Sequence, residues 1–127
     1  MDKVKLFSLV VKDYDATVQF YTQKLGFEVA EDAVFGDNRW ITLNLSNTPD
    51  SNISLVLAKT DEDKAVVGKQ AGGFPLLGLG TVDCFGDYNR MKELGVKFHG
   101  EPQAGPWGTG VLLEDLYGNR IFMSQEP

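Results

Sequence analysis

Few side chains in this sequence can make or break bonds. His99 is the only histidine and Cys84 the only cysteine, so there is no cysteine zinc site, and most histidine-based metal and catalytic constellations are removed at once. As a general base, His99 needs a carboxylate to orient its ring, and Glu101 is the near one in sequence. The plainer role is a hydrogen-bonded surface histidine. Glu114 and Asp115 are adjacent, face opposite ways on a strand and make no acid–base pair; Asp115 suits a turn, bonded to local backbone. Cys84 reads as a packed or semi-exposed thiol. What the residues offer instead is binding. Trp40, Thr42 and Asn44 alternate, which puts an indole beside two short polar groups on one strand face; closing the sheet edge is the other role open to Trp40. Trp107 lies in Pro106-Trp107-Gly108, where it either stacks on a planar or cationic ligand or anchors its loop. Arg120 shares a side of the last strand with Phe122, placed for an anionic ligand group or for a salt bridge.

These residues depend on the elements that carry them. Lys3 to Val11 is apolar with partial alternation and predicts a strand. Asp13 can cap a helix with Tyr14, Val18, Tyr21 and Leu25 on one stripe, and Gly26 ends it. Strands follow at 27–34, 39–45 and 53–58, with a Gly36-Asp37-Asn38 turn and a polar loop over 47–52. Residues 59–73 read as a connection. Then come a strand over 76–82, a helix capped by Asp83 or Asp87 with Tyr88, Met91 and Leu94 as its stripe, and Gly95 as its stop. A short strand at 96–99, a loop over 101–108 and two strands joined at Gly118 complete the chain. Tyr21, Leu25, Phe27, Val29 and Met91 are the expected core. The order strand, helix, three strands occurs twice, and Lys24-Leu25-Gly26-Phe27 at one helix exit answers Glu93-Leu94-Gly95-Val96 at the other. Neither half has enough core to stand alone.

The bulk numbers exclude some partners. A net charge of −6 and a pI near 4.6 do not supply the basic face that phosphate contacts need, so no nucleic acid is expected. No apolar run approaches a membrane span and Met1 to Lys5 does not read as a signal peptide, so a cytoplasmic location and no membrane are expected.

The chain resembles the vicinal oxygen chelate superfamily, which includes glyoxalase I, extradiol dioxygenases, fosfomycin-resistance enzymes and bleomycin-resistance proteins. The matching residues are Asp13, Phe20-Tyr21 and Leu25-Gly26-Phe27, then Leu94-Gly95-Val96, Pro106-Trp107-Gly108 and Asp115-Leu116-Tyr117-Gly118-Asn119. The resemblance implies an α+β fold: two βαβββ modules forming a cupped, eight-stranded mixed sheet. One domain spans 1–127, with module 1 over about 1–60, a linker over about 61–74 and module 2 over about 75–127. It also implies a homodimer.

Members of this family with metal chemistry place His or Glu on four inward strand positions, and those positions fall here on Leu6, Ser54, Leu77 or a neighbour, and Phe122. Two leucines, a serine and a phenylalanine offer a dication almost no donors. The resemblance with this departure implies a metal-independent protein that binds a small molecule, aromatic, amphipathic or cationic, and uses no cofactor. Trp40, Trp107 and Phe122 would hold the ligand, Thr42, Asn44, Ser54 and Arg120 would make polar contacts, and Leu6, Ser8 and Leu77 would line the cup. Two alternatives stay open. One is a glyoxalase-like lyase or dioxygenase binding a divalent ion through displaced ligands such as His99, Glu114 or Glu101. The other is a non-catalytic module whose cup is filled core.

Overall fold

The repeat expected from the sequence is present in a computed structural model, which describes every residue from Met1 to Pro127 and divides into two units, Met1–Val67 and Gly68–Pro127. Together they hold eight strands in two four-stranded mixed sheets, an α+β fold. No helix is long and apolar enough to cross a membrane.

The first unit runs β1 (Leu6–Val11), α1 (Tyr14–Gln23), β2 (Glu28–Phe35), β3 (Asn38–Leu45), β4 (Thr48–Leu57) and α2 (Asp61–Val66). Its sheet has the order β1-β4-β3-β2, with β1 and β4 parallel and the other pairs antiparallel. Asp13 starts α1 by accepting from the Ala16 backbone N–H at 2.9 Å, which satisfies a donor the first turn leaves over. Gly26, at φ +81°, turns the chain out of the helix into β2. Leu9, Val11, Ile41, Leu43, Ile53 and Leu55 are buried on one side of the sheet, and α1 contributes Thr17, Phe20 and Tyr21 to the core. Each such large apolar side chain contributes roughly 1.5–3 kcal/mol.

Four expectations for this unit need correction. The buried side of α1 is centred on Thr17, Phe20 and Tyr21, while Tyr14, Val18 and Leu25 lie at its margins. The Thr17 hydroxyl donates to the Asp13 carbonyl at 2.7 Å, which lets a polar side chain take a core position. Val29 is exposed rather than core, because β2 is an edge strand whose register shifts between Val29 and Glu31. The polar loop over 47–52 shrinks to a Ser46-Asn47 turn, since β4 already begins at Thr48. Pro49 is tolerated because β4 meets β1 only from Asn52 onward, so no bond to β1 is lost. Finally, the connection after residue 58 contains α2, opened by a capping box. Asp63 N–H donates to Thr60 Oγ1 at 3.0 Å and Thr60 N–H to the Asp63 carboxylate at 3.4 Å. Backbone donors from Lys59 and Thr60 hold that carboxyl below its ordinary value.

The second unit runs β5 (Leu77–Gly80), α3 (Cys84–Glu93), β6 (Gln103–Gly105), β7 (Gly108–Glu114) and β8 (Arg120–Gln125), in sheet order β5-β8-β7-β6 with β5 and β8 parallel. Asp83, not Asp87, caps α3, accepting from Gly86 N–H at 3.0 Å. Cys84, Tyr88 and Met91 form the buried side of α3, over Val111, Leu113, Ile121 and Met123. Burial pushes the Cys84 thiol up, and Asp87 and Asp83 push the same way. Leu94 is the C-terminal cap and is exposed, so it drops out of the expected stripe. Residues 96–99 do not form a strand; one bridge joins Phe98 to Leu113, and Phe98 meets Tyr88 edge-on at 4.7 Å. The second strand of the repeat is β6, inside the segment expected to be a loop.

The β7–β8 turn is built from within. Buried Asp115 accepts from Tyr117 N–H, Asn119 N–H and the Asn119 side-chain amide, at 2.9–3.0 Å. Gly118 supplies the φ of +90° that closes it.

Candidate functional site

Each sheet packs one face against its helix, and in the second unit the opposite face is left open. In the second unit the register sets the uncovered face residue by residue. Gly78 pairs with Phe122 and Phe122 with Leu112; Gly80 pairs with Ser124 and Ser124 with Gly110; Arg120 pairs with Glu114. Leu77 therefore lies beside Ile121 on the buried face, and Gly78 takes the place expected of it next to Phe122. The run Leu76-Leu77-Gly78-Leu79 fits either phase, and the partner strand decides it.

Trp107 reaches this face from the Pro106-Trp107 turn between β6 and β7. Its indole lies 6.3 Å from the Phe122 ring, tilted by 41°, and more than half of it is exposed. Two glycines make room for it. A Cβ on Gly105 would stand 2.8 Å from the indole nitrogen, and one on Gly110 would stand 2.5 Å from the Phe122 ring and 3.1 Å from the indole. On the far side of Phe122, Gly78 and Gly80 have nothing within 4 Å of where a side chain would begin. The result is two aromatic rings next to a strip of bare backbone, a surface suited to a flat apolar molecule. Arg120 forms no salt bridge; its Nη1 donates to the Gly73 carbonyl at 2.8 Å. The glycines were not singled out in the sequence, although Gly78-x-Gly80 and Gly108-x-Gly110 carried a signal: alternate glycines bare one side of a strand.

The carboxylate partner of His99 is Glu114, not Glu101: Nε2 and Oε2 lie 2.5 Å apart, and Lys97 Nζ is 3.4 Å from the same oxygen. Burial disfavours the Glu114 carboxylate, but the bonds from His99 and Lys97 outweigh it and hold the carboxyl below its ordinary value.

In the first unit, Leu6, Ser8, Trp40, Thr42, Asn44 and Ser54 do share one face, the one opposite the apolar core. Ser8, Ser54, Thr42 and Glu31 form one row across the four strands. Asn44 has its amide donors committed to Pro49 O and Asn52 Oδ1, at 3.1 and 3.2 Å, so it secures the β3–β4 hairpin.

The four strand positions that the family resemblance assigns to metal ligands hold Leu6, Ser54, Gly78 and Phe122. Leu6, Gly78 and Phe122 have no donor atom and Ser54 has one neutral hydroxyl, so these residues do not fit a divalent cation. No three His, Cys, Asp or Glu side chains gather elsewhere, and the Glu114 oxygen beside His99 already faces the Lys97 ammonium.

A model of the Glyoxalase/Bleomycin resistance protein/Dioxygenase superfamily matches residues 3–123. An uncharacterized protein from Shewanella frigidimarina is 44% identical over 117 residues, covering 88% of this chain and 84% of that protein. Among solved structures, UcmS2 superposes with a TM-score of 0.85 at 28% identity over 98% of each chain. TnmS3, an antibiotic binding protein from Streptomyces sp. CB03234, gives a TM-score of 0.82 at 28% identity, covering 100% of this chain and 98% of that one.

Proposed function

The chain belongs to the glyoxalase/bleomycin resistance protein/dioxygenase superfamily, and from that premise we propose that it is a metal-independent binding protein for a flat, largely apolar small molecule. The observation that carries this reading is the exposed Trp107–Phe122 pair beside the bare backbone of Gly78 and Gly80. Aromatic rings left open to water gain most when a second flat apolar surface covers them. Sequestration is the whole mechanism, since no bond needs to be made. The likeness to the antibiotic binding protein TnmS3 supports a small-molecule ligand, and the net charge of −6 favours capture of a neutral or cationic ligand over an anionic one. Exposed Val34, Phe35, Phe74, Val82 and Phe85 support a homodimer that covers part of that surface, which light scattering on the eluting protein tests.

A thermal-shift screen of planar aromatic compounds tests the binding claim. A ligand present at a hundred times its Kd adds about 2.7 kcal/mol, enough to raise the melting temperature by several degrees in a chain of this size. Trp107→Ala abolishes the shift without lowering the melting temperature of the free protein by more than a few degrees. A shift that survives Trp107→Ala contradicts the assignment.

One observation favours a second reading. The His99–Glu114 pair has the geometry of a carboxylate-oriented base, as in an enzyme of this family that works by proton transfer. Turnover lost in His99→Asn, with ligand affinity kept, would select it.

A further inference from the structure

Thr42 is in the wrong place for a threonine unless something visits it. It is 1% exposed, on an inner strand, and its Oγ1 is a buried side-chain oxygen with no hydrogen-bond partner. Thr17, equally buried, shows the usual arrangement, its hydroxyl donating to the Asp13 carbonyl. At Thr42 a valine would fill the same shape and leave nothing unpaired, so the hydroxyl lowers the stability of the free protein and brings no internal bond in return.

Its surroundings indicate what the hydroxyl is for. Ser54 stands beside it on β4 and Ser8 beyond that on β1, a row of hydroxyls across the face opposite the apolar core, with Ser54 buried as well. Leu6, Trp40 and Val56, on the same face, are 41%, 38% and 40% exposed. An apolar rim left in water around a polar floor is the reverse of what folding alone favours. The charged side chains of β2 on this face are Glu28 and Glu31, paired in register with Asn44 and Thr42, and no lysine or arginine of the four strands lies on it.

We infer that this face of the first unit is a hydrogen-bonding subsite for a hydroxyl or amine group on an otherwise apolar ligand, with Thr42 Oγ1 as its acceptor and the apolar rim against the ligand body. Glu28 and Glu31 repel an anionic group. The inference rests on the reading above that the chain binds a small molecule, and it concerns the polar group that the first unit's own face would take.

The test uses four probes of one shape: naphthalene, 2-naphthol, 1-naphthylmethylamine and 2-naphthoate, titrated calorimetrically into the wild-type protein, Thr42→Val and Thr42→Ser. The wild-type protein binds the naphthol and the amine at least tenfold more tightly than naphthalene or naphthoate. Thr42→Ser keeps that preference and Thr42→Val erases it, while free Thr42→Val melts at or above the wild-type temperature. A lower melting temperature for Thr42→Val overturns the inference, because it means the hydroxyl has a structural partner. So does an absent preference in the wild type, or one that survives in Thr42→Val. If the probes bind but show no preference that depends on Thr42, this inference alone falls. If none of the four binds, it falls together with the reading it rests on.

Discussion

The two units share an order of elements but not a surface chemistry. On the face of the first that lies opposite its helix, the central row reads Ser8, Ser54, Thr42; on that of the second it reads Gly78, Phe122, Leu112. Backbone pairing is the same in both, with a parallel first and last strand and a hairpin beside them. The repeat therefore fixes where a side chain stands, and the side chain alone decides what that place does. Hydroxyls make one face a polar floor; glycines and rings make the other a stacking surface. Their hairpins differ too. The β3–β4 turn is two exposed residues, Ser46 and Asn47, whereas the β7–β8 turn is folded around buried Asp115.

The turns give the largest predicted contrast. Asp115→Ala strands the donors of Tyr117 and Asn119 and costs about 3 kcal/mol, while Asn47→Ala costs under about 0.5 kcal/mol. Urea denaturation of both variants checks this, and equal costs would break the contrast. Next come the glycines of the second sheet. Gly110→Ala forces a methyl into the Phe122 and Trp107 rings, costs about 1–2 kcal/mol and weakens aromatic ligands at least tenfold. Gly78→Ala enters open space and changes stability by less than about 0.5 kcal/mol. If both behave alike, the packed-against-bare distinction is lost.

The smallest effect is electrostatic. The Glu114 carboxyl sits below its unfolded value, so its contribution is present above the ordinary glutamate range and is lost as pH falls through the folded value. Glu114→Gln is therefore less stable than wild type at neutral pH by under about 1 kcal/mol, and the gap closes on acidification below about pH 4. A gap that widens there contradicts the assignment.

What the sequence reveals about this molecule is mostly what acts locally. Asp13 and Asp83 cap helices through neighbours three residues away, and Gly26, Gly95 and Gly118 take positive φ within their own turns; all of these except the choice between Asp83 and Asp87 are plain from residue type. The phase of α1 is not, because Thr17 becomes a core residue only by bonding back to the Asp13 carbonyl. Nor is the face of Leu77, which depends on Ile121 forty-four positions away. The same holds at the site. Trp107 and Phe122 are visible as ring-bearing residues, but their meeting depends on Gly105 and Gly110, and His99 finds Glu114 across fifteen residues rather than Glu101 two away. Thr42 is recognisable as a polar residue on the strand face it shares with Trp40 and Asn44. That its hydroxyl is unpaired is a property of the packed molecule alone.

The central claim is that aromatic stacking, and no metal ion, holds the ligand. The direct test is a calorimetric titration of the best planar aromatic compound from the screen into protein stripped with EDTA. The account predicts the same Kd as for untreated protein, weakened at least tenfold by Trp107→Ala. Affinity that disappears on stripping and returns with a stoichiometric divalent ion contradicts it.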